Sequence, residues 1–443
     1  MQFFKSLYLH QRFFTAIFGI AVIFLFSHWI NFLYPIGWLA AVLLFLAFLI
    51  DIIAVFKNEK IVAKRKLPEK FSNSDENPVV ISIKNNFGFK IYVEVIDELP
   101  VQFQKRDFLK QLSILPNETN RFEYLVRPVE RGEYFFGNLN VYVSSKIKLV
   151  KRRFSFQKEQ MVKVYPSFIQ MKKYDFLAID NRIQLAGLKK IRKIGQTMEF
   201  EQIKDYVIGD DLRTVNWKAT AKQGSLMTNQ YQDEKSQSVY TIIDTSRVMK
   251  MPFNGLRLLD YAINSTLAFS NIALKKHDKV GMFSFSNKID KALPASSKKT
   301  HLQLILNSLY NVKTQFLDSD FGLLYAHIKR RVPQRSLLIL FTNFEHISAL
   351  ERQFVYLRAL AKKHVLVVVF FENSELEKII DQEEIKSVSQ VFEQTVAEQF
   401  SYEKKLMVKE LQRHGIQTVL TSPEELSINT INKYLQIKAK GLL

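Results

Sequence analysis

Two apolar runs near the N-terminus constrain this chain more than anything that follows them. Phe13 to Ile30 holds no Asp, Glu, Lys or Arg, and Ile36 to Phe56 holds only Asp51, close to its end. Each approaches the ~20 residues that a helix needs to cross a bilayer. No small-residue cleavage site follows the first run, and the second run begins almost at once, which argues against a cleaved signal peptide. Residues 1–57 are therefore expected to form a two-helix transmembrane hairpin. Lys5 and Arg12 precede the first run, and Lys57, Lys60, Lys64, Arg65 and Lys66 follow the second, whereas the connector Asn31 to Pro35 is uncharged. By the positive-inside rule both ends face the cytoplasm, so the expectation is a multi-pass protein of the inner (cytoplasmic) membrane.

The remainder is too long for one compact core. A formal charge of +20 fits either nucleic acid or an anionic lipid surface. Its densest run, Lys189-Lys190-Ile191-Arg192-Lys193, has too few neighbouring aromatics to mark a nucleic-acid site. Next to a membrane anchor it reads as a solvated face near lipid headgroups, and no nucleic-acid partner is expected. The chain has no cysteine, which excludes disulfides, thiolate metal centres and a Cys nucleophile. Its histidines include no pair at metal-ligand spacing.

Residues 58–166 change to a period of two. Val79 to Ile83, Ile91 to Ile96, Arg121 to Val126 and Leu139 to Val143 are separated by turn formers such as Asn85-Asn86 and Pro116-Asn117. The spacing predicts a β-sandwich (Ig-like). Residues 167–230 read as a linker that also carries a dense cluster of unusual residues. From 231 to 443 strands and helices alternate. Strands are expected at Ser238–Asp244, Lys279–Phe285, Ser336–Phe341, His364–Phe371 and Ile416–Leu420, with helices between them. That alternation predicts an α/β doubly wound, mostly parallel sheet. Sites in such sheets lie at the carboxyl ends of strands, where Asp244, Phe285-Ser286 and Thr342-Asn343 fall.

Catalytic signatures are missing. There is no G-x-G-x-x-G, no complete G-x-x-x-x-G-K-[ST] and no G-x-S-x-G. An aspartyl-phosphate enzyme would place a second carboxylate two residues after Asp244, where Ser246 stands.

What remains is the run Asp244-Thr245-Ser246-Arg247-Val248 and the cluster Glu199, Phe200, Lys204, Tyr206, Gly209, Asp210, Asp211, Arg213, Val215, Asn216, Trp217, Lys218, Ala219, Thr220, Ala221 and Lys222. The cluster resembles the signature of the domain of unknown function 58 family. Arg131-Gly132-Glu133-Tyr134 with Gly137, and Thr421 to Leu426 with Lys433-Tyr434-Leu435 and Lys438, are similar to other parts of the same family. The Asp244 run resembles the first loop, D-x-S-x-S, of a von Willebrand factor A domain with its metal-ion-dependent adhesion site. The resemblance implies a C-terminal von Willebrand factor A-like domain and a protein partner, a MoxR-type AAA+ ATPase or its client, and it implies no reaction.

For a metal, the resemblance implies Asp244, Ser246, Ser319 or Asp320, and Asn343 as ligands. Val248 stands where the second serine would be, and Asn343 has lost the charge of an Asp, so the site is degenerate and Mg²⁺ is expected to bind weakly or not at all. Asp210 and Asp211 are expected to pair with Arg213 or Lys218, and Trp217 to act as a packed anchor between domains. The function expected is a non-enzymatic, membrane-anchored protein-interaction module. The alternative is a metal-dependent hydrolase centred on Asp244.

Overall fold

The computed structural model describes residues 2–57, 61–105, 107–157, 159–172, 198–208, 210, 212–233, 236–381 and 387–442. The chain divides into two compact units, Met1–Val164 and Tyr165–Leu443.

In the first unit the apolar runs form helices Gln11–Phe26 and Leu33–Phe56. Leu33–Phe56, with 24 residues, is long and apolar enough to cross a membrane, whereas Gln11–Phe26 is apolar but shorter. The two lie side by side, with Phe13 against Phe48 and Phe24 against Trp38. Gly37 makes this approach possible, because a Cβ there would meet the Phe24 ring at 2.9 Å.

Asp51, the one charge in the second run, is buried. Its Oδ2 accepts the backbone N–H groups of Leu149 and Val150, both at 2.9 Å. The end of the apolar helix is thereby stapled to the start of strand Val150–Phe156. On the other edge of that strand the short segment Leu7–Leu9 pairs antiparallel with it.

The rest of this unit is antiparallel sheet. A five-stranded sheet runs in the order 7–9, 150–156, 139–144, 91–97, 110–114, and a three-stranded sheet runs 61–66, 77–85, 119–126. Ile81 and Ile83 from one share a core with Val93, Val95, Val141 and Val143 from the other. Residues 91–97 alternate buried and half-buried, as a strand with one core face must. Inside, Arg65 and Tyr124 both donate to Asp97, satisfying a carboxylate whose pKa burial would otherwise drive further upward. The R-G-x-Y-x-x-G motif has a conformational basis. Gly132 sits at φ +140°, Gly137 leaves no room for a Cβ beside Glu98, and Tyr134 is buried with its hydroxyl donating to the Glu130 carbonyl at 2.8 Å.

In the second unit a six-stranded sheet is built from β1 (Ser238–Asp244), β2 (Lys279–Phe285), β3 (Ile289–Ser296), β4 (Leu337–Phe341), β5 (Val365–Phe371) and β6 (Gln417–Thr421). Their spatial order is 3-2-1-4-5-6, and every pairing is parallel except that of β3, on the edge. Side chains alternate between two cores. Val239, Ile243, Ile339 and Phe341 face helices 258–275, 301–310 and 426–439, while Ile242, Leu338 and Leu340 face helices 321–331, 347–363 and 388–413. The sheet is therefore covered on both faces, as the predicted alternation requires. The closing helix is fixed by Tyr434 and Lys438, which both donate to the buried Asp278, Lys438 at 2.7 Å.

The edge strand β3 and the helix Phe321–Arg331 were not anticipated. Pro294 argues against a strand interior, but on an edge its missing N–H loses no ladder bond.

Two outcomes test these contacts. Asp51→Ala should cost about 2–3 kcal/mol, because it strips two N–H groups of a charged acceptor. Asp51→Asn, which keeps one acceptor oxygen, should recover part of the loss in thermal unfolding of the detergent-solubilised protein. His364, just before β5, is buried with no partner for Nδ1 among the described residues, and burial followed by Lys363 and Arg335 brings its pKa down to about 4. Its folded pKa lies below the unfolded value of about 6.5, so its contribution is present above pH 6.5 and lost as pH falls toward 4. The unfolding midpoint of the wild type should drop across that window, and His364→Gln should flatten the drop.

Candidate functional site

The carboxyl end of β1 lies where the strand order reverses, between β2 and β4, which is the position at which doubly wound sheets form their binding crevices. Asp244 ends β1 and is 1 % exposed. Its Oδ1 accepts from the Ser246 backbone N–H at 2.9 Å and from the Ser319 hydroxyl at 2.6 Å, and its Oδ2 accepts from the Thr342 hydroxyl at 2.7 Å. Burial pushes the Asp244 carboxyl up, and these three donors oppose it. One carboxylate thus joins the loops after β1 and β4 to the segment that precedes helix Phe321–Arg331.

Around it the loops are tied further by main chain and amide groups. Thr245 N–H donates to the Phe285 carbonyl at 2.8 Å, Gln315 N–H to the Thr245 carbonyl at 2.8 Å, and Asp320 N–H to the Ser286 carbonyl at 2.9 Å. Gln315 Nε2 also reaches Asp290 at 3.3 Å.

The structure sorts the expected ligands. Ser319 reaches Asp244, whereas Asp320, its alternative, is the N-cap of helix Phe321–Arg331 and accepts the Leu323 N–H at 2.9 Å. Ser246 is buried; its hydroxyl meets no partner at full hydrogen-bond geometry among the described residues, yet it adds to the groups that hold the Asp244 carboxyl down. Val248 packs against the apolar core. Asn343 does not turn to Asp244, because its Oδ1 accepts from Lys404 Nζ at 2.6 Å. Lys404 also donates to the Phe344 carbonyl, and burial brings its amine down to about 8 against the upward pull of Glu345 and Glu403.

Thr342 takes the place in the third loop that sequence reasoning gave to Asn343. Its signal was its position directly after the apolar strand. Lys404 carried no signal, since it lies on a helix 61 residues away in sequence from Asn343.

The donors are chemically suitable for a hard cation: one carboxylate and the hydroxyls of Ser246, Ser319 and Thr342. A single negative charge is weak compensation for a divalent ion, and Asn343 is already engaged by an ammonium. These residues could hold Mg²⁺ through Asp244, Ser246, Ser319 and Thr342, at low affinity.

The second cluster is a hairpin, Met198–Asp205 paired antiparallel with Met227–Asp233. Glu199 and Phe200 lie on its first strand and Tyr206 just beyond it, with the Tyr206 N–H donating to the Leu226 carbonyl at 2.8 Å. The motif's polar residues build the hairpin's own connection. Asn216 caps helix Trp217–Gln223 by accepting the Ala219 N–H at 3.0 Å, Thr220 accepts the Met227 N–H at 2.9 Å, and Gly224 ends the helix at φ +73°.

Asp210 pairs with Lys204 at 3.1 Å and also accepts the Val207 N–H at 3.1 Å, while the side chain of Arg213, one of its expected partners, lies outside what is described. That backbone bond, with Lys204, holds its carboxyl below the ordinary range. Arg213 lies in a short turn of 3-10 helix, Leu212–Thr214, and Lys218 is exposed. Gly209 and Asp211 lie outside the described residues, as does the basic run from Lys189 to Lys193. Trp217 was read as a packed anchor, yet its indole is 72 % exposed, and Val207, Ile208 and Leu212 are also exposed.

A family model described as "Protein of unknown function DUF58" matches residues 202–384. The "Uncharacterized protein YeaD" of Bacillus subtilis (strain 168) is 23 % identical over 203 residues, which are 44 % of this chain and 50 % of that protein, so the chain spans about half the length of the curated relative it matches. Among solved structures, the conserved hypothetical protein BatB from Bacteroides thetaiotaomicron is 15 % identical with a TM-score of 0.31, covering 46 % of this chain and 100 % of that one. The CARDB domain of the PF1109 protein from Pyrococcus furiosus is 17 % identical with a TM-score of 0.18, covering 25 % of this chain and 96 % of that one. Residues 202–384, which run from the signature hairpin across the Asp244 loops and on past β5, are the part of the chain that matches the DUF58 family.

Proposed function

We propose that this protein is a membrane-anchored, non-enzymatic interaction module, an adaptor for a MoxR-type AAA+ ATPase or its client. In this reading the N-terminal helices form a two-span hairpin with both ends in the cytoplasm, as the basic residues flanking them favour. The second unit is a von Willebrand factor A-like domain whose adhesion site is degenerate. Its 3-2-1-4-5-6 sheet with an antiparallel edge strand, and an aspartate-hydroxyl cluster after the first strand, support that reading.

The observation that carries the interaction role is the tip of the signature hairpin. Ile208 is 97 % exposed, and Val207, Leu212 and Trp217 accompany it. Exposed apolar side chains grouped with an aromatic mark a contact surface, because leaving them in water forfeits burial that a partner would supply. Among the described polar residues of the motif, Asp210, Asn216 and Thr220 are engaged in folding the hairpin's own connection, which fits a presented surface.

Two measurements check this. Full-length protein purified from native membranes under ATP and under ADP should carry an AAA+ ATPase with it. The double substitution Ile208→Ser, Trp217→Ala should reduce recovery at least about tenfold without changing the unfolding midpoint, since both residues are exposed. Absence of an ATPase in both nucleotide states would sink the reading. Calorimetric titration of the full-length protein with Mg²⁺ should show a dissociation constant no tighter than about 1 mM, the weak end of oxygen-ligand sites. Tighter binding, lost in Ser246→Ala, would favour the hydrolase alternative centred on Asp244.

A further inference from the structure

Strands Leu139–Ser144 and Val150–Phe156 of the first unit are joined by a turn, residues 145–149, that is fixed to both apolar helices. Asp51 Oδ2 accepts the N–H groups of Leu149 and Val150, and the His10 N–H donates to the Leu149 carbonyl at 2.9 Å. Arg152 Nη1 donates to the Val55 carbonyl at 3.2 Å. The turn is thus held against the start of helix Gln11–Phe26 and the end of helix Leu33–Phe56 at once. A helix of 24 residues is about 36 Å long against ~30 Å of hydrocarbon in a bilayer, so about one turn of it protrudes. Lys57, directly after Phe56, keeps that end among the headgroups. Asp51 lies about 8 Å before the end, which puts the turn it holds at the boundary between acyl chains and headgroups.

The chemistry at this level is one-sided. Residues 2–12 and 144–153 hold seven Lys and Arg and no Asp or Glu. Of the carboxylates packed nearby, Asp51 is buried on backbone N–H groups and Glu94 is paired with Lys151 at 2.6 Å. Burial lowers the His10 pKa, Lys151 lowers it further against Glu94, and Lys148 and Arg12 add to the lowering, which gathers these cations around one imidazole. Lys148 lies over the Tyr92 ring at 3.7 Å, a contact that supplies no opposite formal charge. It also takes φ +60°, where glycine or asparagine is the usual occupant, so the turn keeps a lysine at a position that disfavours one. Lys5, Arg12, Lys57 and Lys146 are exposed, with the apolar side chains of Leu9 and Ile147 exposed among them. Phe14, Ile50 and Ile53 lie next along the helices and are exposed too. Apolar side chains continuous with a span are covered by acyl chains, and cations at their edge face lipid phosphates.

We propose that the turn 145–149 and the two helix ends form a site for an anionic phospholipid, in which Arg12 and Lys148 donate to the phosphate and Ile147 lies in the upper acyl layer. Lys5, Lys57 and Lys146 add attraction to a negative leaflet within a Debye length. The inference rests on the membrane-anchored reading and deepens it by stating which lipid the anchor selects.

The test uses full-length protein in nanodiscs of equal parts dioleoylphosphatidylcholine and dioleoylphosphatidylglycerol, with native mass spectrometry counting the lipids that the released protein retains. Phosphatidylglycerol should be retained at least about fivefold over phosphatidylcholine. The double substitution Lys146→Gln, Lys148→Gln should bring that ratio below about twofold, and Lys146→Arg, Lys148→Arg should keep it. Lys405→Gln, Lys409→Gln removes two exposed lysines from helix Val388–Arg413, matches the change in net charge, and should leave the ratio as it is. Equal retention of both lipids by the wild type overturns the proposal. So does a ratio that survives Lys146→Gln, Lys148→Gln, or one that falls as far in Lys405→Gln, Lys409→Gln. An unchanged unfolding midpoint checks that the turn variant folds; if it does not, Arg12→Gln, at an exposed position, decides by the same ratio. Carbonate extraction of native membranes separates this from a failure of the anchor. Protein that stays in the pellet yet shows no lipid preference keeps the anchor and loses the site, whereas protein released to the supernatant loses both.

Discussion

A single buried carboxylate organises the second unit. Placing Asp244 out of water at the end of a central strand is costly unless its oxygens are saturated. The cost is offset by three donors from three segments: the Ser246 N–H, the Ser319 hydroxyl and the Thr342 hydroxyl. Any loop that drifts away leaves a charge without its partner, so the loops are coupled through it. The secondary ties, Gln315 to Thr245 and to Asp290 and Asp320 to Ser286, complete the same arrangement from the β2 side. A metal is not needed to explain why Asp244 is there.

The same logic recurs in the first unit. Asp97 is buried with Arg65 and Tyr124 donating to it, and Asp51 holds two backbone N–H groups at the end of an apolar helix. In Asp278 a further carboxylate anchors the closing helix through Tyr434 and Lys438. Each of these aspartates joins segments distant in sequence. In a chain without cysteine, they take on the cross-linking that disulfides provide elsewhere.

How much of this was legible beforehand follows from which interactions are local. Strand and helix periods are local, so residues 91–97, 139–144 and five of the six strands of the C-terminal sheet were readable, while β3 was hidden by Pro294. Asp244, Ser246 and Ser319 could be named because the loops that carry them follow strand ends or precede a helix. That Asn343 faces Lys404 could not be read, since an amphipathic helix gives no sign of which lysine is drawn inward. Trp217 misled for a related reason. A tryptophan in a charged motif is the usual mark of a packed anchor, but the polar residues around it fold the hairpin by themselves and leave the indole outside. Asp51 was legible as an oddity in an apolar run, and only the distant strand at Val150 explains it.

The central claim is that Asp244 holds three loops in one arrangement. Hydrogen–deuterium exchange of Asp244→Ala against the wild type tests it most directly. The account predicts that amides in residues 244–248, 315–320 and 342–345 lose protection together, while the interiors of β1, β4 and β5 stay protected. Loss confined to 244–248, with the other two loops unchanged, would contradict it.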